Sequence, residues 1–223
     1  MLPNVKLILS SYSLRQLLVR VAEEYLWWII RSWPGYEGVW LRYVFLKCTT
    51  KSLAGFCWIS QGCTVSNSHS LSIGRGFCAA RNVLIDAIGG IEIGDDANIG
   101  PNCVLLAHEH SMLTKGSFTG PQAYTRKPIK IGTGAWIGSN CFVKAGVTIG
   151  DHAVVGACSN VMTDVPTNGR VIGSPARPLV QALRELLAPP ASTSERPQST
   201  EAEAGSRGGN PRKSDAGPLV ADG

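Results

Sequence analysis

The sequence predicts an all-β domain of short parallel strands wound into a helix. An amphipathic helical segment precedes it and a short helix follows. Three observations predict this: a six-residue repeat across residues 59–172, Gly and Asn/Asp at the turns of that repeat, and a composition of 44% apolar but only 17% charged residues in 223. The charged fraction is below the soluble average of about 25%, which suits a fold whose surfaces are sheet faces and subunit contacts.

The repeat unit is an aliphatic residue, usually a small or acidic one, two variable positions, a small residue and one more. It runs from Ile73-Gly74 through Ala79 and Ile85-Asp86, resumes at Ile93-Gly94 and Ile99-Gly100, and continues at Ile131, Ile137, Val143, Ile149, Val155 and Val161. A helix needs a period near 3.6 and a flat strand a period of 2. A period of six fits a short strand followed by a tight turn, with every sixth residue on a central axis. Gly, Asn and Asp supply the positive φ of such turns. Three units close one triangular coil, and coils stack at about 4.8 Å, so the aliphatics form interior ladders. Two-residue additions at Leu71-Ser72, Ile91-Glu92 and Ile129-Lys130 are expected at one corner, since the first two lie one coil apart.

These units resemble the hexapeptide-repeat acyltransferases over roughly residues 59–180, and most resemble the sugar O-acetyltransferases of the galactoside and maltose type. The helical N-terminus and His108-Glu109-His110-Ser111 resemble the colanic acid biosynthesis branch. The resemblance implies a left-handed parallel β-helix, acetyl-CoA as acyl donor with no metal required, a homotrimer with sites between subunits, and a sugar or polysaccharide-precursor hydroxyl as acceptor. Periodicity alone does not give the handedness.

The repeat breaks between Ala107 and Ile129, over residues 108–128. Excursions this long in a compact domain are usually functional or disordered. The resemblance makes a histidine at the start of this loop the general base, and an imidazole of ordinary pKa, about 6.5, is suited to accept the acceptor's proton at neutral pH. Counting from Leu105 points to His110, whereas taking the first histidine of the pair points to His108.

By the same resemblance Trp136, Ser139 and Ala157 line the coenzyme A groove, the Ser139 N–H serves as oxyanion donor, and Arg177 meets a cofactor phosphate. Trp136 is expected to project from a corner. Where the family often has Thr-Lys-Asp before a proline, this chain has Met162-Thr163-Asp164, which removes one cation. Asn82 and Asp86, one coil before the histidines, are the candidate acceptor-binding residues, although Asn at a turn is usually structural.

The sequence divides into helices over 1–55, the β-helix over 56–183 and a disordered tail over 184–223, with a short helix near Leu179–Leu187. Leu14–Trp33 and Val39–Lys47 are the two expected N-terminal helices, joined at Pro34-Gly35. They read either as a cap on the domain or as a peripheral membrane contact. In the second reading Trp27, Trp28 and Trp40 are anchors and Arg31, Arg42 and Lys47 attract anionic lipid. No apolar run reaches the roughly 18–20 residues of a spanning helix, and residues 1–10 lack the features of a secretory signal. The expected location is cytoplasmic, at the inner face of the membrane.

Seven cysteines without clustered spacing, three of them (Cys63, Cys103 and Cys141) at small buried repeat positions, read as reduced core residues. A net charge of +5 without basic runs gives no nucleic-acid signature. Serine or antibiotic acetylation, a zinc hydratase on the same β-helix, and a non-catalytic scaffold are the competing functions. The hydratase needs three histidines on one metal, and His69 and His152 fall in ordinary repeat units.

Overall fold

The computed structural model describes residues 13–110 and 124–187, apart from the side chains of His110 and Tyr124. The expected tail beyond 187 and the loop's central residues 111–123 lie outside the described residues.

Helix α1 (Leu14–Ala22) opens with a reciprocal cap. The Ser13 Oγ accepts from the Gln16 N–H at 3.3 Å, and Gln16 Oε1 accepts from the Ser13 N–H at 2.9 Å. The helix runs on through a π turn (Glu23–Trp27) and a last α turn (Trp28–Ile30). After Pro34, helix α2 spans Gly35–Thr49, longer at both ends than its apolar spacing suggests.

From Ser52 the chain forms a parallel β-solenoid with three faces. The first face stacks Ser52–Leu53, Leu71–Ile73, Ile91–Ile93, Ile129–Ile131 and Thr148–Ile149. The second stacks Trp58–Ile59, Cys78–Ala79, Asn98–Ile99, Trp136–Ile137, Val154–Val155 and Arg170–Ile172. The third stacks Thr64–Ser66, Leu84–Asp86, Val104–Leu106, Phe142–Val143 and Asn160–Val161. Arg177–Pro178 folds back antiparallel on Ile172, and helix α3 (Leu179–Leu187) follows.

The register carries the aliphatic ladders the repeat demands. Leu53, Ile73, Ile93, Ile131 and Ile149 are in line on the first face, and Val65, Ile85, Leu105, Val143 and Val161 on the third. All are buried. Each such side chain contributes about 1.5–3 kcal/mol by leaving water. Cys63, Cys103 and Cys141 are buried and free, as expected of core thiols, and burial pushes the neighbouring Cys57 thiol up to about 12.

The helices cap the open end of the first coil. Strand edges leave carbonyls and N–H groups without partners, and burying them so is costly. Arg42 meets one such group, since its Nε donates to the Ile59 carbonyl at 2.8 Å, and ties it to the end of the preceding helix, since its Nη1 donates to the Ile30 and Trp33 carbonyls at 2.9 Å. The Trp27 Nε1–H donates to the Cys63 carbonyl at 3.1 Å. Trp27 and Arg42 are therefore 2% and 1% exposed, and neither is the surface anchor or the lipid-facing cation of the sequence reading. An indole and a guanidinium on an amphipathic helix look the same in sequence whichever side meets the domain.

Candidate active site

The two-residue additions do share one corner, between the third and first faces. Asn67-Ser68-His69-Ser70 fills it on the first coil, Ala87-Ile88-Gly89-Gly90 on the second, and the long excursion leaves from it on the third. Here the coils need not keep identical backbone, because the extra residues lie outside the ladders.

A column of polar groups climbs this corner. Asn67 has left-handed backbone, φ 58°, and its Nδ2 donates to Asp86 Oδ1 at 2.7 Å. The Ile88 N–H donates to the same oxygen at 3.1 Å. Asp86 Oδ2 lies 3.6 Å from His108 Nδ1. Asn67 is held in turn from helix α1: the Glu23 carboxylate accepts its backbone N–H at 2.9 Å, and Arg20 Nη1 donates to its Oδ1 at 3.3 Å.

The excursion does not begin as irregular loop. His108–His110 pairs antiparallel with Tyr124–Arg126, so both histidines stand on a two-stranded ribbon and off the interior ladders. Strand alternation places His108 and Glu109 on opposite sides of the ribbon. Glu109 Oε1 is 2.6 Å from Lys127 Nζ, and its Oε2 is 3.2 Å from Lys144 Nζ. These two ammonium groups, Lys127 first, hold the Glu109 carboxyl below its ordinary value. Sequence reasoning missed this clamp, although Lys144 occupies a repeat position where small or acidic residues are usual.

The cofactor candidates cluster elsewhere. Ser139 and Ala157 lie at the corner between the second and third faces on successive coils, where the Cys158 N–H donates to the Ser139 carbonyl at 2.8 Å. The coils approach so closely here that a Cβ on Gly138 would lie 2.7 Å from the Ala157 nitrogen. Asn82 is at this corner too, with φ 60° and its Nδ2 donating to Asn102 Oδ1 at 3.2 Å. It shares a corner with Ser139, while Asp86 shares one with His108. Asn82 and Asp86 are thus parted by the width of the third face.

Trp136 points outward from the flat of the second face, 57% exposed, and not from a corner as the repeat count suggests. Val154 and Arg170 follow it in register on the next two strands, so an exposed aromatic and an exposed guanidinium share one column. Arg170 was not singled out from sequence, because only strand register aligns it with Trp136. Arg177 Nη1 is 2.7 Å from Glu185 Oε2, an ion pair with helix α3.

His69 lies in the turn beneath helices α1 and α2, and burial lowers its pKa. His152 has left-handed backbone at the corner between the first and second faces on the fifth coil. Among the described residues no three His, Cys, Asp or Glu side chains gather as a metal-binding group.

A hexad-built parallel solenoid, interrupted once by a histidine-bearing ribbon, makes the chain similar to the hexapeptide-repeat acetyltransferases. The bacterial transferase hexapeptide model, described as six repeats, matches residues 128–162. Among particular proteins, the chain is 37% identical over 120 residues to the galactoside O-acetyltransferase of Escherichia coli strain K12, covering 54% of this chain and 58% of that one. The chain spans about half the length of the curated relatives it matches. It is 28% identical, with a TM-score of 0.68, to a galactoside acetyltransferase in complex with coenzyme A, over 80% of this chain and 90% of that one. A hexapeptide-repeat acetyltransferase of Vibrio cholerae O1 biovar eltor complexed with acetyl coenzyme A has 28% identity and a TM-score of 0.62, over 75% and 88% of the two chains.

Proposed function

We propose that this protein is an acetyl-CoA-dependent O-acetyltransferase acting on a sugar hydroxyl, with the histidine ribbon as its catalytic element. The observation that carries the reading is the single break in the solenoid. It occurs one coil above a carboxylate, Asp86, that faces His108 at 3.6 Å. The coenzyme A and acetyl coenzyme A complexes of similar solenoids support the donor, and the galactoside enzymes support the acceptor class.

In this reading His110 is the general base. The coil register continues up to the ribbon, where the Ala107 N–H donates to the Asp86 carbonyl at 3.0 Å, which supports counting the repeat to His110. The His108 side chain turns toward Asp86 and is only 20% exposed. Asp86 and His108 fix the strand; His110, two residues on, takes the proton. The acceptor oxygen attacks the thioester carbonyl as the imidazole removes its proton. The tetrahedral intermediate then collapses with cleavage of the C–S bond, and the proton goes to the departing thiolate. The Ser139 N–H is the oxyanion donor in this scheme, a role worth about 3 kcal/mol when well placed. Trp136 packs on the cofactor, and Arg170 replaces the cation missing at Thr163; Arg177, tied to Glu185, is the weaker phosphate contact.

The base and the groove stand at opposite edges of the third face. At about 3.3 Å per residue, the segment from Asn140 to Lys144 spans roughly 13 Å. One thioester does not reach both edges, which supports a site shared between subunits of a homotrimer. The outward column of Leu84, Val104 and Phe142 on the third face, half-buried in the single chain, is an apolar strip suited to that contact. The deciding experiment is an acceptor screen with acetyl-CoA that reports free thiol. Thiol release with a saccharide or lipid-linked saccharide is expected. Release with serine but no sugar would overturn the acceptor class, and none with any hydroxyl acceptor would overturn the enzyme.

A further inference from the structure

Helix α1 is turned inside out. An amphipathic helix on a domain ordinarily buries its apolar stripe and shows its charges to water. Here Arg20, Glu23 and Arg31 reach the solenoid beside the buried Val19 and Trp27. Glu23 accepts from the Asn67 and Ser68 N–H groups, Arg20 donates to Asn67 Oδ1 at 3.3 Å, and Arg31 Nη1 donates to Thr64 Oγ1 at 3.0 Å. Leu14, Leu18, Val21, Tyr25, Trp28 and Ile29 recur at helical spacing on the other side, each at least half exposed. Trp33, Tyr36 and Trp40 extend the exposed aromatic surface onto the start of helix α2.

We propose that this outward stripe docks the protein onto an anionic bilayer surface. Two features commit it to lipid and not to a second copy of the chain. The patch is dominated by Tyr and Trp, whose apolar rings with polar tips partition to the headgroup boundary. Its charge is also complementary: with Arg42 buried and Arg31 and Glu23 half-buried against the solenoid, the exposed charges of residues 13–51 are Arg15, Arg20, Lys47 and Lys51 against Glu24 and Glu37. No helix among the described residues is long and apolar enough to cross a membrane, so the contact is in-plane. The inner face still caps the first coil, so capping and docking belong to opposite sides of one helix.

The test is flotation of the full-length protein with phosphatidylcholine vesicles, with and without phosphatidylglycerol. Wild type should float with the mixed vesicles and more weakly with phosphatidylcholine alone. Leu18→Ser/Tyr25→Ser/Trp28→Ser, which leaves Arg20, Glu23, Trp27 and Arg31 in place, should weaken partition by on the order of tenfold or more. Tryptophan quenching by brominated lipid gives a second readout on unaltered protein, and Trp28→Phe should lower it. The proposal is overturned if wild type neither floats nor is quenched, if the triple variant floats as well as wild type, or if the variant instead splits a wild-type oligomer in sedimentation. None of these outcomes depends on which acceptor the enzyme uses.

Discussion

The corner between the second and third faces repeats almost unchanged from coil to coil, while the corner between the third and first faces differs on every coil. At the first, Gly62, Asn82, Asn102, Asn140 and Cys158 all take left-handed backbone, and Gly100 and Gly138 let successive coils touch. At the second, the turns grow by two residues, then by a ribbon, and then shrink to a plain hexad at Lys144-Ala145-Gly146. One corner is rigid and periodic, a fit frame for a long cofactor. The other tolerates insertion and so gathers the side chains that do not belong to the repeat. Conformational regularity and chemical variety have been assigned to different edges of the same prism.

The sharpest way to break this contrast is at the ribbon. Replacing His108 and His110 together by Ala should lower kcat by about 10²–10⁴ and leave thermal unfolding and coenzyme A binding unchanged. His110→Ala alone should give nearly the full loss, and His108→Ala a smaller one. Equal losses from the two single variants would remove the distinction between base and anchor.

Asp86→Asn tests whether the varied corner works as a column. It weakens a contact to a charged group worth about 1.5 kcal/mol, so kcat should fall roughly tenfold with the KM for acetyl-CoA unmoved. A raised KM for the acceptor with kcat intact would instead make Asp86 a sugar contact.

The regular corner should answer with stability. Asn102→Val forces a β-branched residue into φ 58°, at a cost of about 1–2 kcal/mol. That lowers Tm by about 3–6 °C in a domain of this size. The same change in an interior β-strand would be mild.

Trp136→Ala should raise the KM for acetyl-CoA about fivefold, the worth of one aromatic contact near 1 kcal/mol, with kcat at saturation preserved. Glu109→Gln is the smallest effect. Lys127 and Lys144 hold this carboxyl below its ordinary value, so its stabilisation is complete above about pH 4.3 and fades as pH falls through the lowered value. The pair is exposed, so Tm should change by less than about 2 °C near neutral pH. Calorimetry should show this acid-side fade in wild type and its loss in the variant.

The sequence by itself determined the coil. A six-residue period of aliphatics has no other economical packing, so the ladders, the shared corner of the two-residue additions, the buried cysteines and the single break at residue 108 were all legible. Those are local or strictly periodic properties, and one chain's spacing encodes them. The tertiary structure alone decided which residues meet across coils. It set Asp86 against His108 and parted Asn82 from both. It aligned Arg170 with Trp136, and clamped Glu109 between two lysines distant in sequence. It also decided which sides of the N-terminal helices face the domain, placing Trp27 and Arg42 in the core and so removing them from the membrane-contact reading. Amphipathicity fixes that a helix has two faces. Which face is buried depends on the groups the solenoid's open edge leaves unsatisfied, and here those are backbone carbonyls and N–H groups that only polar side chains can meet.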